Sequence, residues 1–381
     1  MKNPVIEQIT TLRNPNYPKI VWVIVKTTDG LKGIGETSYD PDTVEAFIQG
    51  EGSDYLLGKD PSSIDLHWEK LSKVGSHIKL GNSGEMRGLS ALDMALWDIK
   101  GKALNKPVWD LLGGKVREKV PVYSHVGFLD KIETAVSDAV RQVNLGYKAL
   151  KLDPFMPEMK KSHRRYIDGK ISEQGASYAD DLMSEIRKAI GPSIELMIDA
   201  HGNFDVSTAT ELCNRMKKHN LIWFEEPLQP ESIDAHRQLR NNTDINLCIG
   251  ERKYTRWDFA PYLQEGLVNY IMPDICWTGG ISEMKRIATL AETFYIPISP
   301  HDASGAFNVI SGAHVLMNVP NIYRLEMTDH SLENYNNVIT EPLDIRDGFL
   351  HLNNKPGLGY ELNHDFIKSN PDPEWEKIWK N

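Results

Sequence analysis

The feature that most constrains this chain is a spacing. Asp199 in ELMIDAHGN, Glu225 in LIWFEEPLQ and Glu251 in LCIGERKY stand 26 residues apart, each at the end of a short, mostly apolar run. Such runs read as buried strands. An interval of this length holds one strand, one helix and two loops. The strands therefore lie parallel and side by side, with their acids at the same end. Three acids converging in a folded interior repel one another and raise one another's pKa unless a cation sits among them. Oxygen-only ligands point to a hard ion, with Mg²⁺ the leading candidate.

The same period runs through the rest of the C-terminal two-thirds. VPVYSH, KALKLD, ELMID, LIWFE, NLCIG, NYIMP, IPISP and IYRLE begin near residues 120, 148, 195, 221, 246, 269, 296 and 322. Helical segments fill most gaps, most clearly Asp130 to Leu145 and Gly280 to Phe294. Units of this kind predict an α/β fold, a modified TIM barrel of seven or eight β/α units. The interval between the second and third strands is the exception. It contains Phe155 to Asp180, with the charged run KKSHRR (Lys160 to Arg165) and little apolar content. That stretch reads either as a long loop or lid on the active-site face, or as a solvated surface insertion.

Before Val120 the order is strands, then helices, an α+β arrangement. Asp29-Gly30 between two strand-like runs (Ile20 to Thr37) is a hairpin signal. Pro41 to Gly58 and Ser62 to Leu80 read as helices, with Val44, Phe47 and Ile48 on one face of the first. Arg87 to Ala103 carries Leu89, Leu92, Ala95, Leu96 and Ile99 on one stripe, with Ser90 as its expected N-cap. Ile345 to Leu362 reads as a late hairpin rejoining the first domain. The expected boundaries are an N-terminal α+β domain over 1–117, a barrel over 118–344 and a returning segment over 345–381.

Composition bounds the partners. A net charge of −10 argues against a nucleic-acid surface, which needs a basic face. Cys213, Cys248 and Cys276 are too few and scattered for a disulfide framework or a zinc site, and they suit a reducing compartment. MKNPVIEQITTL lacks the apolar core of a signal peptide, and no apolar run is long enough to cross a bilayer. The expectation is a cytoplasmic protein with neither membrane nor nucleic acid as a partner. Asn241-Asn242-Thr243 fits the glycosylation pattern only by chance in that setting.

In a TIM barrel the strand C-termini line the active site. Those positions hold His125, Lys151 with Asp153, Asp199 with His201, Glu225, Glu251, Asp274, His301 and Glu326. One buried acid at a strand end is usually a cap or a loop organiser. Ionisable groups at eight such ends in register are hard to obtain from capping. Glu225 ends its strand and is the ligand of the Glu225-Glu226 pair; Glu226 is expected to brace a neighbouring basic group. Asp274 and His301 lie one strand apart, so the carboxylate can fix the imidazole tautomer and raise the basicity of its far nitrogen.

These residues carry a resemblance over essentially the whole length. ALDMALWDIKGKALNKPVWDLLGG (Ala91 to Gly114), the Asp–Glu–Glu set, the Asp274–His301 dyad, PDICWTGGISE (Pro273 to Glu283) and PGLGYEL (Pro356 to Leu362) resemble the enolase superfamily and, within it, the mandelate racemase subgroup. The resemblance implies abstraction of the proton α to a carboxylate, with Mg²⁺ on Asp199, Glu225 and Glu251 stabilising the enediolate. It makes the N-terminal domain a cap whose loops, here Asn14 to Lys19 and Ser38 to Val44, close the barrel and select the substrate. It also implies a homo-oligomer, dimer to octamer, and a substrate wall including His125, Lys151, Trp277 and Glu326.

Two positions depart from the racemising members. Their Lys-x-Lys is Lys151-Leu152-Asp153 here, so a two-base racemisation lacks its second base. Asp153 could instead be a salt-bridge partner for Lys151. The third strand reads Asp199-Ala200-His201-Gly202, similar to sugar-acid dehydratases such as galactonate dehydratase, in which the histidine protonates the departing 3-hydroxyl. The run Glu251 to Trp257 is also similar to theirs. The reading is a Mg²⁺-dependent hydro-lyase acting on a small sugar acid. His301 is the C2 base, Asp274 orients it, and His201 is the acid. Lys151 offsets negative charge, and Glu326, protonated or sharing a proton, hydrogen-bonds the substrate carboxylate or enediolate. The alternatives are a cycloisomerase or epimerase on the same scaffold and a non-catalytic sugar-acid-binding barrel. A class II aldolase or metallohydrolase would call for histidine ligands to zinc, which these three positions do not supply.

Overall fold

The structure is a computed structural model that describes residues 3–74, 77–78, 83–162, 168–369 and 376–380. Three strands open the chain: β1 (Ile6–Leu12), β2 (Ile20–Thr27) and β3 (Lys32–Ser38). β2 and β3 form the hairpin expected at Asp29-Gly30, with Gly30 at φ 89°. Both faces of β2 are buried. Val21, Val23 and Val25 meet helix α1 (Gly84–Leu104), while Trp22 and Ile24 face the barrel. This explains a strand reading as an unbroken apolar run. On β3 the glycines do the fitting. A Cβ on Gly33 or Gly35 would stand about 2 Å from the Ala95 or Ala91 carbonyl oxygen, so α1 rests directly on this strand. Alternation then turns Ile34 and Glu36 toward the barrel.

The expected apolar stripe of α1 (Leu89, Leu92, Ala95, Leu96, Ile99) packs into the cap core with Val44, Phe47 and Ile48. Its N-cap, however, is Ser83, which accepts from the Met86 N–H. Ser90 lies inside the helix and donates to the Met86 carbonyl, because the helix begins one turn before the apolar stripe does. The helix expected over Ser62–Leu80 spans only Ile64–Leu71; Lys73–Val74 then pairs antiparallel with His77–Ile78, and residues 79–80 lie outside the described residues. Pro41–Leu56 is helical, with Gly50 out of helical geometry midway.

The barrel strands are β4 (Val120–His125), β5 (Ala149–Leu152), β6 (Glu195–Asp199), β7 (Phe224–Glu225), β8 (Leu247–Ile249) and β9 (Tyr270–Ile271), each parallel to the next. IPISP, expected as a strand, contributes only the bridging residue Ile298, with His301 bridging just beyond it; two prolines remove the amide donors a full ladder needs. Ile298 bridges Ile271 and Ile322, and β10 (Leu325–Glu326) pairs with β4, so the ring closes. Helices α2 (Ile132–Asn144), α3 (Glu173–Ile190), α4 (Val206–Met216), α5 (Ile233–Asn242), α6 (Arg256–Gln264), α7 (Gly280–Thr293) and α8 (Ala306–Asn318) follow successive strands.

Inside the ring, Tyr123, Ala149, Met197, Trp223, Cys248 and Met272 form an apolar floor. Two residues further along, the inward positions of five of these strands are His125, Lys151, Asp199, Glu225 and Asp274. The late hairpin, β11 (Asp344–Arg346) and β12 (Phe349–His351), pairs with β4 of the barrel and not with the first domain as expected. Contact with that domain comes later. Leu358 N donates to Asp98 of α1, and β13 (Glu376–Lys380) adds to β1, giving the sheet order β13-β1-β2-β3.

Candidate active site

Asp199, Glu225 and Glu251 come together at the barrel mouth, each buried, with one oxygen apiece within 4.8 Å of the others. Glu225 Oε1 is buried with no hydrogen-bond partner. Burial, then Asp199, drives the Glu225 carboxyl well above its usual range. An orphaned oxygen in an all-carboxylate cluster fits a hard divalent cation, which would complete its valence and reverse that shift.

Lys151 Nζ is buried beneath the cluster, 2.9 Å from Glu225, 2.7 Å from Glu326 and 3.6 Å from Asp199. Burial alone would lower its pKa; Glu225 and Glu326 outweigh burial and hold it charged. Glu326 also meets His125 Nε2 at 2.5 Å and accepts from the Asp302 N–H at 3.1 Å. Burial raises its pKa, but Lys151, His301 and His125 pull it well below the usual carboxylate range. Lys151 Nζ and the Asp302 N–H both donate to Glu326, and the His125 contact leaves room for a shared proton.

On one side, His301 Nδ1 lies 2.8 Å from Asp274 Oδ2, and Nε2 lies 3.1 Å from Glu251. Asp274 Oδ1 accepts from Cys276 N at 2.7 Å and from Asn308 Nδ2 at 3.2 Å. Burial lowers the His301 pKa, yet Glu251, Glu326 and Asp274 together raise it well above its ordinary value. Trp277 packs against this imidazole with ring centroids 5.3 Å apart, and its indole N–H is committed to Ser38 of the cap. It therefore has no N–H to offer the site.

On the other side, His201 Nδ1 lies 2.8 Å from Asp153 Oδ2 and Nε2 3.3 Å from Asp199 Oδ2. Asp153 is not a partner of Lys151, the alternative left open by the sequence. Its second oxygen accepts the Phe155 and Met156 N–H groups, and that turn aims it at His201. His201 has φ 51°, a left-handed conformation that histidine tolerates better than most residues and that brings its ring back over the acids. Burial lowers its pKa, but Asp199 and Asp153 carry it to about 9.

Two cavities meet at His201. One of about 400 Å³ includes His125, Phe128, Lys151 and Asp153; the other, about 540 Å³, includes Tyr39, Arg87, Glu251, Trp277 and His301. Met156, Pro157 and Lys160 line the first, so the start of the long β5–α3 connection faces the site. Residues 163–167 of that stretch lie outside the described residues, and from Glu173 it is already helix α3 rather than loop. Of the two expected cap loops, Ser38 to Val44 reaches the site through Tyr39. Tyr17 of Asn14–Lys19 instead lines a neighbouring cavity of about 260 Å³ with Asp302 and Tyr335.

Glu226 braces Arg252, as expected of it, and Arg252 also reaches Glu251 at 2.6 Å. Sequence alone does not single out Arg252, Tyr39 or Arg87 as site residues, although Arg252 directly follows a ligand and Tyr39 lies in the cap loop Ser38 to Val44. Arg87 sits on the cap helix, paired with Asp40 and stacked near Trp277, and only the docking of the two domains places it here.

Fold and site together define an enolase-type enzyme. The chain matches the description "Enolase C-terminal domain-like" over residues 134–366 and "Mandelate racemase / muconate lactonizing enzyme, N-terminal domain" over 1–113. It belongs to this mandelate racemase / muconate lactonizing family. It is 32% identical to D-galactonate dehydratase of Pectobacterium atrosepticum, covering 98% of this chain and 97% of that one. An enolase of the mandelate racemase subgroup from Agrobacterium tumefaciens superposes with a TM-score of 0.89 at 28% identity, covering 99% of both chains. A member of the enolase superfamily from Salmonella Typhimurium gives 0.91 at 26%, covering 99% of this chain and 100% of that one. Among the described residues, no helix is long and apolar enough to cross a membrane.

Proposed function

We propose that this enzyme is a hydro-lyase that removes water from a sugar acid, giving a 2-keto-3-deoxy acid. The observation that carries this reading is the pair of histidine–aspartate couples on opposite sides of one acidic triad. His301–Asp274 stands on one wall and His201–Asp153 on the other. Elimination across C2–C3 needs a base for the C2 proton and an acid for the 3-hydroxyl, and the two couples supply one each.

Asp199, Glu225 and Glu251 would hold Mg²⁺, which supplies the positive charge that acidifies the C2–H and balances the carboxylate cluster. Asp274 keeps the His301 Nδ1 proton in place; with the charge of Glu251 taken up by Mg²⁺, Nε2 would be left free to accept the C2 proton. Asp153 holds His201 at Nδ1, leaving the Nε2 proton for the 3-hydroxyl. Asp153, which faces Nδ1 from outside the triad, favours the imidazolium form of His201. As the C3–O bond breaks, the C2 electron pair forms the C2–C3 double bond and water departs; the enol then becomes the ketone. Lys151 and Glu326 form a fixed ion pair beneath the reacting carbons, and His125 and Trp277 bound the substrate on either side.

An epimerase would need a second base at Lys151 or Asp153. Lys151 is locked among carboxylates and Asp153 is committed to His201, which favours elimination. The test is a screen of aldonic and aldaric acids with Mg²⁺, reading 2-keto-3-deoxy products with semicarbazide. Turnover of one or more acids is expected. Proton exchange at C2 without dehydration across the whole panel would point to epimerisation and sink the proposal.

A further inference from the structure

One fully buried carboxylate outside the triad belongs to the cap yet reaches the base. Glu36 on β3 accepts from Trp22 Nε1 at 2.9 Å and from the Asn308 backbone N–H at 3.1 Å, at the start of α8. The Asn308 side chain donates to Asp274 Oδ1 at 3.2 Å, and Asp274 holds His301. Gly305 makes the approach possible, since a Cβ there would stand 2.9 Å from the Glu36 carboxylate. The next two cap residues grip the same loops. Thr37 donates to the Cys276 carbonyl at 2.7 Å, two residues after Asp274, and Ser38 lies 2.6 Å from Ser304, three after His301.

Stability alone is a poor reason for this arrangement. Burial pushes the Glu36 carboxyl up to about 7 against the pull of the Asn308, Trp22 and Phe307 donors. An apolar side chain of similar volume would fill such an interface without that cost. What a carboxylate adds is direction: it fixes where α8 begins, and so where the Asn308 amide points.

We infer that Glu36 is a positioning residue, which sets the orientation of the His301–Asp274 dyad through Asn308 and makes the base depend on correct docking of the cap. The inference rests on His301 being the C2 base. Exchange of the C2 proton in D₂O and steady-state turnover test it, using the Mg²⁺-loaded enzyme and the panel acid the wild type turns over fastest. Glu36→Ala and Asn308→Ala should each lower kcat and exchange by about 10²-fold, as expected for a displaced reacting group, with KM nearly unchanged. The double variant should be no slower than Asn308→Ala, because the two act along one path. Glu36→Gln keeps one acceptor oxygen for the Asn308 N–H but turns an amide NH2 toward the Trp22 N–H, so its rate should fall between wild type and Glu36→Ala; it stands in if the alanine variant fails to fold.

Losses that add in the double variant, a rise in KM at constant kcat, or unchanged exchange would each overturn the positioning role. His301→Asn in the same assay separates the two levels. If it abolishes exchange while Glu36 and Asn308 variants keep it, only the positioning role fails. If it retains exchange, or if no panel acid is turned over, the proposed function fails and this inference fails with it.

Discussion

The two walls of the site use the same pair of residue types and build them differently. On the base wall, Asp274 and His301 bridge each other as neighbouring barrel positions, and Asp274 accepts three hydrogen bonds. Cap residues brace the loops behind them. On the acid wall, Asp153 stands just past β5 in a turn, and His201 reaches it only by adopting a left-handed backbone. In the proposed elimination the base has to strike one carbon hydrogen, and the rigid scaffold would supply that accuracy. The proposed acid has to meet whichever group is to leave, and building it from loops would let the leaving group vary while the base stays fixed.

The largest expected effect does not distinguish the walls. Chelation with EDTA should abolish turnover and Mg²⁺ should restore it, because both histidines work against the same three acids. Turnover persisting after exhaustive chelation would remove the premise of the comparison. Next come the single-wall variants. His301→Asn should eliminate C2 exchange and dehydration together, a loss of roughly 10²–10⁴-fold for an acid–base group. His201→Asn should stop dehydration and leave exchange measurable; equal loss of both by NMR would merge the two walls into one function. The orienting aspartates sharpen the contrast. Asp274→Asn should cost up to about 10⁴-fold, as when a buried carboxylate fixes the tautomer of a general base. Asp153→Asn should cost less, because an imidazolium carries a proton on both nitrogens and has no tautomer to fix. The reverse ranking in kcat would show that the acid wall is the stricter one.

Much of this was legible because a barrel is periodic. Side chains alternate along a strand, so the floor residue Met197 and the acid Asp199 predict each other, and a period near 26 repeats the pattern around the ring. What was not legible depended on contacts that no period encodes. The partner of Asp153 is set by a turn that rotates its carboxylate toward β6. The charge on Glu326 depends on donors from β4, β5 and the loop after His301. Glu36 was invisible for another reason: its meaning lies in the seam between cap and barrel. Its one local sign was the Gly33-x-Gly35 spacing, which presses α1 to one face of β3 and turns Glu36 to the other.

The rigidity of the base wall should itself have a pH limit, and it is the smallest effect expected. Helix α8, which carries Asn308, is tied at its far end by His314. That imidazole is fully buried, with Nδ1 accepting from Trp109 N at 3.2 Å and Nε2 donating to the Leu358 carbonyl at 3.0 Å. Burial pushes its pKa down to about 4, only partly opposed by the Leu358 carbonyl. A histidine whose folded pKa lies below its unfolded value stabilises the fold fully above about 6.5, and that stabilisation drains away as pH falls toward 4. The shift corresponds to stability on the order of 3 kcal/mol at most. His314→Gln keeps an acceptor for Trp109 and a donor for Leu358 but has no proton to gain. In urea unfolding, wild type should lose more stability than the variant between pH 7 and pH 4.5, and carboxylates common to both cancel in the difference. Parallel curves would mean that His314 is not what fastens α8, and that the firmness of the base wall comes from the cap alone.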